Sequence, residues 1–185
     1  MLRDRGALVI EADQVAREIV APGSPILQQV AANFGSEILL PNGELDRVAL
    51  AERIFSDSAA RERLNQLTHP PILARLSEAI QQYRKHPTSP VMAAVIPLLF
   101  ELGVQGLVDR TLVVYAQDRE QMERLKKRDD LDEAAAWQRI NSQMPLSEKC
   151  RRADWVIDTS FGFEQTRQAV NRLWSELVGV QPTLS

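Results

Sequence analysis

Two carboxylates stand directly after the first apolar segment of the chain. Residues 7–10 predict a buried strand, and Glu11 and Asp13 follow it. Ligands of α/β folds bind at the carboxyl ends of strands, where a carboxylate can accept a proton or hold Mg²⁺. Asp is equally a favoured helix N-cap, so a cap for a helix over 14–20 is the alternative role of Asp13. Arg17 lies one turn further on the same face, placed either to clamp a phosphate or to pair with Asp13.

A second candidate region is a run of basic side chains in an otherwise acidic protein. It comprises Arg124, Lys126, Lys127, Arg128, Arg139, Lys149, Arg151 and Arg152. Such a gathering suggests a lid that binds phosphate. The alternative is a solvated helix surface whose charges are paired with nearby acids.

Three further side chains belong to residue types that can take part in catalysis. The segment 68–71 predicts the end of one helix and the start of the next, and a histidine in such a turn, His69, is commonly structural. Glu101 follows the second apolar segment and reads as a solvated helix charge. Cys150 lies within the basic run, which could lower its pKa, but nothing nearby in the sequence resembles the base of a nucleophile.

Composition excludes several classes of protein. The 185 residues carry 22 Lys and Arg against 25 Asp and Glu, a net charge of −3, which gives no general attraction to nucleic acid or anionic membranes. One cysteine and two histidines exclude a disulfide framework, a Cys-based zinc site and a His-rich metal site. No apolar run is long enough to span a bilayer, and the first residues lack the apolar core of a signal peptide. We therefore expect a cytoplasmic protein that binds neither nucleic acid nor membrane.

The elements that must position these residues alternate between short apolar segments and amphipathic stretches. Strands are predicted at 7–10, 91–96, 111–115 and 155–157, and helices at 46–55, 71–83, 118–127 and 164–177. This alternation predicts an α/β fold with a mostly parallel sheet.

The long interval between the first two strands predicts a helical insertion over 21–90. Residues 1–20 and 91–185 would then form the core domain, with the lid at about 118–152. Gly6 predicts either the end of a helix turn over 1–5 or a short disordered lead-in, and the tail 180–185 is expected to fray.

Seven segments, taken in order, resemble the dephospho-coenzyme A kinase family over nearly the whole chain. They are VIEADQVAR at 9–17, LDR at 45–47, LTHP at 67–70, VIPLLFE at 95–101, RLKKRD at 124–129, RINSQ at 139–143 and ADWVID at 153–158. Each segment alone has low specificity, and their conjunction in this order is specific.

The resemblance implies a P-loop kinase-like parallel sheet flanked by helices, with a helical substrate-binding insertion and a lid. It implies transfer of the γ-phosphate of ATP, with Mg²⁺, to the ribose 3′-hydroxyl of dephospho-coenzyme A, the last step of coenzyme A synthesis. In that family pattern Asp13 is the base, and Arg17, His69 and Pro70 contact the acceptor substrate. Arg128 and Arg139 match lid positions that face ATP. Phosphoryl transfer relies on positioning and charge neutralisation, which arginines and Mg²⁺ supply.

The chain departs from this family pattern in two places. Glu11 stands where the family usually has Asp, which keeps a carboxylate. No glycine is followed by lysine, so the printed residues contain no G-x-x-x-x-G-K-[ST] phosphate loop, and the strand before that loop is also missing.

These departures lead us to expect a truncated chain that lacks a central strand and is inactive as written. A binding protein that keeps the dephospho-coenzyme A site without catalysis is the alternative, and a kinase for another small acceptor is a third reading.

Overall fold

Strands and helices alternate in the computed structural model, which describes residues 1–55 and 57–179. The strands in this part of the chain are β1 Leu8–Glu11, β2 Met92–Val95, β3 Leu112–Tyr115 and β4 Trp155–Asp158. The α-helices are α1 Ala12–Glu18, α2 Pro25–Phe34, α3 Arg47–Phe55, α4 Ser58–Lys85, α5 Asp118–Asp129, α6 Glu133–Asn141, α7 Leu146–Arg152 and α8 Phe163–Gly179. The four predicted strands are present within one or two residues of their expected bounds, and the predicted fraying at 180–185 lies outside the described residues.

The strands form two sheets of two strands each. β1 pairs with β2, and β3 pairs with β4. The second pair is parallel, with Leu112 opposite Trp155 and Tyr115 opposite Asp158. Among the described residues every strand therefore has one edge without a strand partner, and the two sheets together hold four strands. The α/β class and the strands flanked by helices are confirmed.

The chain divides into two compact units, whose boundary runs through β1 and β2. One unit comprises Val9–Thr88 and Ala94–Ile96, and the other comprises Met1–Leu8, Ser89–Ala93 and Pro97–Ser185. The core and insertion boundaries predicted from the sequence, 1–20 with 91–185 and 21–90, stay a prediction. In the part of the chain that the structure describes, no helix is long and apolar enough to cross a membrane.

The first unit, which holds α1 to α4, has two apolar clusters. Val30, Phe34 and Ile38 of α2 and the turn after it pack with Leu50 of α3. Ala12 and Val15 of α1 pack separately against Leu76 of α4. The second cluster orients the exposed face of α1, which carries the predicted site residues.

Helix α4 corrects the sequence prediction of a break at 68–71. It runs without interruption through Pro70 and Pro71. Each proline removes the N–H that would bond the carbonyl four residues earlier, which is why the sequence predicted an end there. The helix continues because both halves are held by packing: Leu64 and Leu67 belong to the first cluster and Ile72 and Leu76 to the second.

The second unit is built on β3, β4 and α8. Ile157 of β4 packs against Val170 and Leu173 of α8, and Met1 and Leu2 lie against the same cluster. The chain start forms a short 3₁₀-helix, Arg3–Arg5, that ends at Gly6. Gly6 has φ 95°, a left-handed conformation that glycine adopts at little cost. The predicted helix turn at the start of the chain is thus present. Three residues are too few to form a stable helix alone, so the packing of Met1 and Leu2 stabilises the turn.

Candidate active site

Asp13 and Arg17 lie on the exposed face of α1, directly after β1. Glu11, in extended conformation, is the residue that precedes the helix, so Asp13 belongs to its first turn and is not the N-cap. Neither Asp13 nor Arg17 makes a side-chain hydrogen bond or ion pair with another described residue. The sequence left two alternative roles open, a helix cap for Asp13 and an ion pair between Asp13 and Arg17. Both are therefore wrong. The two charged groups are available to a ligand.

His69 and Pro70 lie in the middle of α4. His69 is one turn before Ile72 and two turns before Leu76, the residues through which α4 packs on α1. It is half-buried, and burial lowers the pKa of its imidazole, which keeps the ring neutral near pH 7. Pro70 is exposed. The structure thus places His69 on the face of α4 that meets the helix carrying Asp13 and Arg17.

Arg128 and Arg139 share one carboxylate. Asp129 accepts hydrogen bonds from Nε and Nη2 of Arg128 at 2.8 and 2.9 Å and from Nη1 of Arg139 at 2.7 Å. The Arg128 hydrogen bonds, with the charge of both guanidinium groups, hold the pKa of Asp129 below its usual range despite partial burial. Helices α5 and α6 pack together and bring these groups to one point. The two guanidinium groups therefore meet at one carboxylate.

Most of the basic run is paired with acids, as the second interpretation predicted. Lys126 lies 3.7 Å from Glu123. Arg151 and Arg152 both pair with Glu148, whose pKa these arginines lower. Most members of the run are therefore paired with acids, and within it Arg128 and Arg139 converge on Asp129.

Arg124 makes a further contact that the sequence did not indicate. It donates from Nη1 to Thr159 Oγ1 at 2.7 Å and from Nη2 to the carbonyl of Thr159 at 2.8 Å. Because 35 residues separate the two, no local pattern could have indicated this link.

Glu101 is not the solvated helix charge that the sequence predicted. It lies in the turn region after β2 and pairs with Lys149. Burial alone would raise the pKa of Glu101, but hydrogen bonds from Lys149 and from backbone N–H groups, including Met144, bring it below the usual range. The partners are 48 residues apart in sequence, so no local pattern could have predicted this pair.

Cys150 also differs from its prediction. Burial and the nearby carboxylate of Asp158 raise the pKa of its thiol, so the neighbouring basic residues do not activate it. Arg151 and Arg152 are occupied by Glu148, which explains why their charge has little effect on the thiol.

Thr111 and Asp154 form another contact that sequence reasoning missed. Asp154 accepts hydrogen bonds from the backbone N–H and the hydroxyl of Thr111 at 2.7 and 2.8 Å, which lower the pKa of Asp154. The contact joins the residues that precede β3 and β4, and it gives the ADWVID segment a structural role.

The predicted site residues fall into two groups. Asp13, Arg17, His69 and Pro70 belong to the first unit, and Arg128 and Arg139 belong to the second. Each group is organised within its own unit, by the α1–α4 packing and by Asp129 respectively. Among the described residues, no group of three or more His, Cys, Asp or Glu side chains is placed to hold a metal ion.

Comparison with protein families and curated sequences gives one consistent result. The dephospho-CoA kinase family model matches residues 1–165. The dephospho-CoA kinase of Syntrophotalea carbinolica is 46% identical over 178 residues, which cover 96% of this chain and 84% of that protein. The dephospho-CoA kinase of Moorella thermoacetica is 41% identical over 177 residues, again covering 96% of this chain and 84% of the relative.

Solved structures agree with the sequences. The crystal structure of TT1252 from Thermus thermophilus matches with a TM-score of 0.74 at 30% identity, covering 95% of this chain and 87% of that one. The dephospho-CoA kinase from Campylobacter jejuni matches with a TM-score of 0.64 at 27% identity and the same coverage.

Proposed function

The chain belongs to the dephospho-CoA kinase family, and we propose that its residues serve the transfer of the γ-phosphoryl group of ATP to the ribose 3′-hydroxyl of dephospho-coenzyme A. The products are coenzyme A and ADP. The observation that carries the proposal is that the side chains of Asp13 and Arg17 have no partner among the described residues and are exposed on one face of α1, immediately after β1. That is the strand end at which α/β proteins bind their ligands.

Asp13 is proposed as the general base. The 3′-oxygen forms a bond to the γ-phosphorus, the bond from that phosphorus to the β–γ bridging oxygen breaks, and ADP leaves with the electron pair. The hydroxyl proton passes to the carboxylate of Asp13. A positioned base of this kind contributes about 10²–10⁴-fold to a rate.

The remaining residues are proposed to bind and neutralise charge. Arg17 holds the acceptor, and His69 and Pro70 shape the substrate side of α4. Arg128 and Arg139 supply positive charge that favours the transferring phosphoryl group. Both donate hydrogen bonds to Asp129, so phosphate oxygens would compete with that carboxylate for their N–H donors.

The printed residues do not fit the phosphates of MgATP. They contain no G-x-x-x-x-G-K-[ST] loop, whose backbone amides and lysine cradle the β- and γ-phosphates. Among the described residues no group of three or more His, Cys, Asp or Glu side chains could hold a metal ion by itself, and the Mg²⁺ of MgATP takes most of its ligands from phosphate and water. We therefore expect no turnover by the 185-residue chain.

The test compares two proteins for coenzyme A formation, with the product identified by mass spectrometry and a 3′-phosphate-specific nuclease. One is the 185-residue chain. The other, called the extended chain, has an apolar strand, a phosphate loop and a helix joined ahead of Met1. Only the extended chain should turn over, and replacing its loop lysine by methionine is the control.

Two outcomes would contradict part of the proposal. Turnover by the 185-residue chain would support the kinase function but contradict the expected need for the phosphate loop. An extended chain that folds and binds both substrates without turnover would favour the alternative function, a non-catalytic protein that binds dephospho-coenzyme A. Adenosine and AMP, tested as competing acceptors, show whether the protein is instead a kinase for another small acceptor. Action in the cytoplasm and the absence of nucleic-acid partners stay predictions.

A further inference from the structure

A surface cavity lies beside the exposed face of α1, within the unit formed by Val9–Thr88 and Ala94–Ile96. Its volume is about 290 Å³. Arg17 and Val20 line one side, and Glu44, Leu45 and Arg47 line the other. Pockets that enclose a drug-sized ligand have volumes of about 300–1,000 Å³. This cavity lies just below that range, so it can hold one polar group of a larger molecule but not the whole molecule.

The loop before α3 holds Arg47 in a fixed position. The carboxylate of Asp46 accepts hydrogen bonds from the backbone N–H groups of Val48 and Ala49, both at 3.0 Å, and so caps the helix that Arg47 begins. The backbone N–H of Asp46 donates to the carbonyl of Ile38 at 2.8 Å. The acidic neighbour of Arg47 is thereby engaged with the backbone, and the guanidinium projects from an ordered helix start.

Neither guanidinium group has a partner among the described residues. Arg17 and Arg47 make no hydrogen bond or ion pair there. Two other arginines of the same unit do have partners: Arg53 pairs with Glu37 and Arg75 pairs with Glu78. Two unpaired arginines at one cavity indicate an anionic ligand rather than a structural role.

The charge of the cavity is positive but not uniformly so. Glu44 is the one carboxylate among its lining residues, and it forms no ion pair with a described residue. Two guanidinium groups against one carboxylate leave one net positive charge. Guanidinium groups bind phosphate in bidentate geometry. A diphosphate could therefore accept hydrogen bonds from both guanidinium groups, one at each of its two phosphates.

We propose that Arg47, together with Arg17, binds the diphosphate bridge of the acceptor substrate. This inference rests on the proposed function, which supplies an acceptor with a diphosphate between its nucleoside and its pantetheine arm. It adds Arg47 as a binding residue and assigns the cavity to one chemical group. Held there, the diphosphate would anchor the nucleoside next to α1, the helix that also carries Asp13.

The test measures dissociation constants by isothermal titration calorimetry with the 185-residue chain. The probes are dephospho-coenzyme A and adenosine, which lacks the diphosphate. Arg47→Gln and Arg17→Gln should each weaken dephospho-coenzyme A binding about tenfold, the equivalent of about 1.4 kcal/mol. Adenosine binding should change less than about twofold. Glu44→Gln should tighten dephospho-coenzyme A binding, because it removes the opposing charge.

Arg61→Gln is the matched control. Arg61 is an exposed arginine of α4 without an ion pair to a described residue, and it does not line the cavity. Its removal changes the net charge equally and should leave both dissociation constants unchanged. Circular dichroism confirms that each variant is folded.

Three results would overturn the inference. One is an Arg47→Gln variant that binds dephospho-coenzyme A as tightly as Arg61→Gln does. Another is an equal loss of adenosine binding, which would indicate a structural effect. A folded, unsubstituted chain that binds no dephospho-coenzyme A would contradict both the inference and the proposed function, whereas the first two results leave the proposed function intact.

Discussion

The ammonium group of Lys149 lies 2.7 Å from Oε1 of Glu101, and the two side chains are only 8% and 20% exposed. Lys149 also donates to the carbonyl of Pro97 at 3.0 Å and to Oε1 of Gln143 at 3.3 Å. The backbone N–H of Met144 donates to the same Glu101 oxygen at 2.9 Å. The pair thus joins the turn after β2 to α7, and the Met144 hydrogen bond joins that turn to the segment between α6 and α7. Oε2 of Glu101 is buried without a hydrogen-bond partner among the described residues.

Replacing Lys149 should destabilise the protein strongly. Lys149→Met leaves the Glu101 carboxylate buried without a cation, and removing one partner of a buried pair costs about 3 kcal/mol or more. Urea unfolding at pH 7 measures the change in free energy. Lys127→Met is the control, because Lys127 is exposed and has no ion pair with a described residue; it should cost less than about 0.5 kcal/mol. Equal effects of the two substitutions would show that the pair contributes little.

The same pair predicts an acid-dependent loss of stability. Hydrogen bonds from Lys149 and the backbone hold the pKa of Glu101 below its usual value despite burial. A carboxylate with a depressed folded-state pKa stabilises the fold above its unfolded pKa, about 4.3, and that contribution is lost as pH falls through the folded value. The wild-type chain should therefore lose more stability than Glu101→Gln between about pH 5 and pH 3. Parallel curves for the two proteins would contradict this assignment.

Such pairs mark the limit of what the sequence could show. The strands and most helices follow local periodicity, and they were predictable, as was the position of Asp13 and Arg17 directly after β1. Residues 48 apart, such as Glu101 and Lys149, meet only through the tertiary fold. The helix break predicted at Pro70 and Pro71 was wrong for the same reason, because the packing of both halves of α4 overrides the local helix-breaking effect of proline. Resemblance supplied the roles of His69, Arg128 and Arg139, which spacing alone did not.

Removing Arg139 should affect catalysis and leave stability almost unchanged. Its pair with Asp129 is solvent-exposed on the arginine side, and exposed pairs contribute about 0–1 kcal/mol. In the extended chain, Arg139→Gln should lower kcat about 10²-fold, as for other groups that stabilise transition-state charge. Arg167→Gln removes a comparable surface pair, with Glu164 on α8, and serves as the control. Thermal unfolding measured alongside kcat separates the two effects. A normal kcat for Arg139→Gln would remove this residue from the site.

Replacing Asp13 tests the proposed base directly. In the extended chain, Asp13→Asn should lower kcat about 10²–10⁴-fold. The dissociation constant for dephospho-coenzyme A should change little, because Arg17 and Arg47 remain. Asp13 lies in the first turn of α1 without a capping role, so losing its charge should cost about 0.5 kcal/mol at most through the helix dipole.

Glu18→Gln is the matched control for that substitution. Glu18 is an exposed carboxylate at the end of the same helix, where it accepts a hydrogen bond from Gln14. Its loss should leave kcat unchanged. If Asp13→Asn retained a near-normal kcat while Glu11→Gln lost it, the base would be Glu11, which stands at the carboxyl end of β1 two residues earlier. Loss of kcat in Asp13→Asn alone, with binding and stability kept, would assign proton transfer to Asp13.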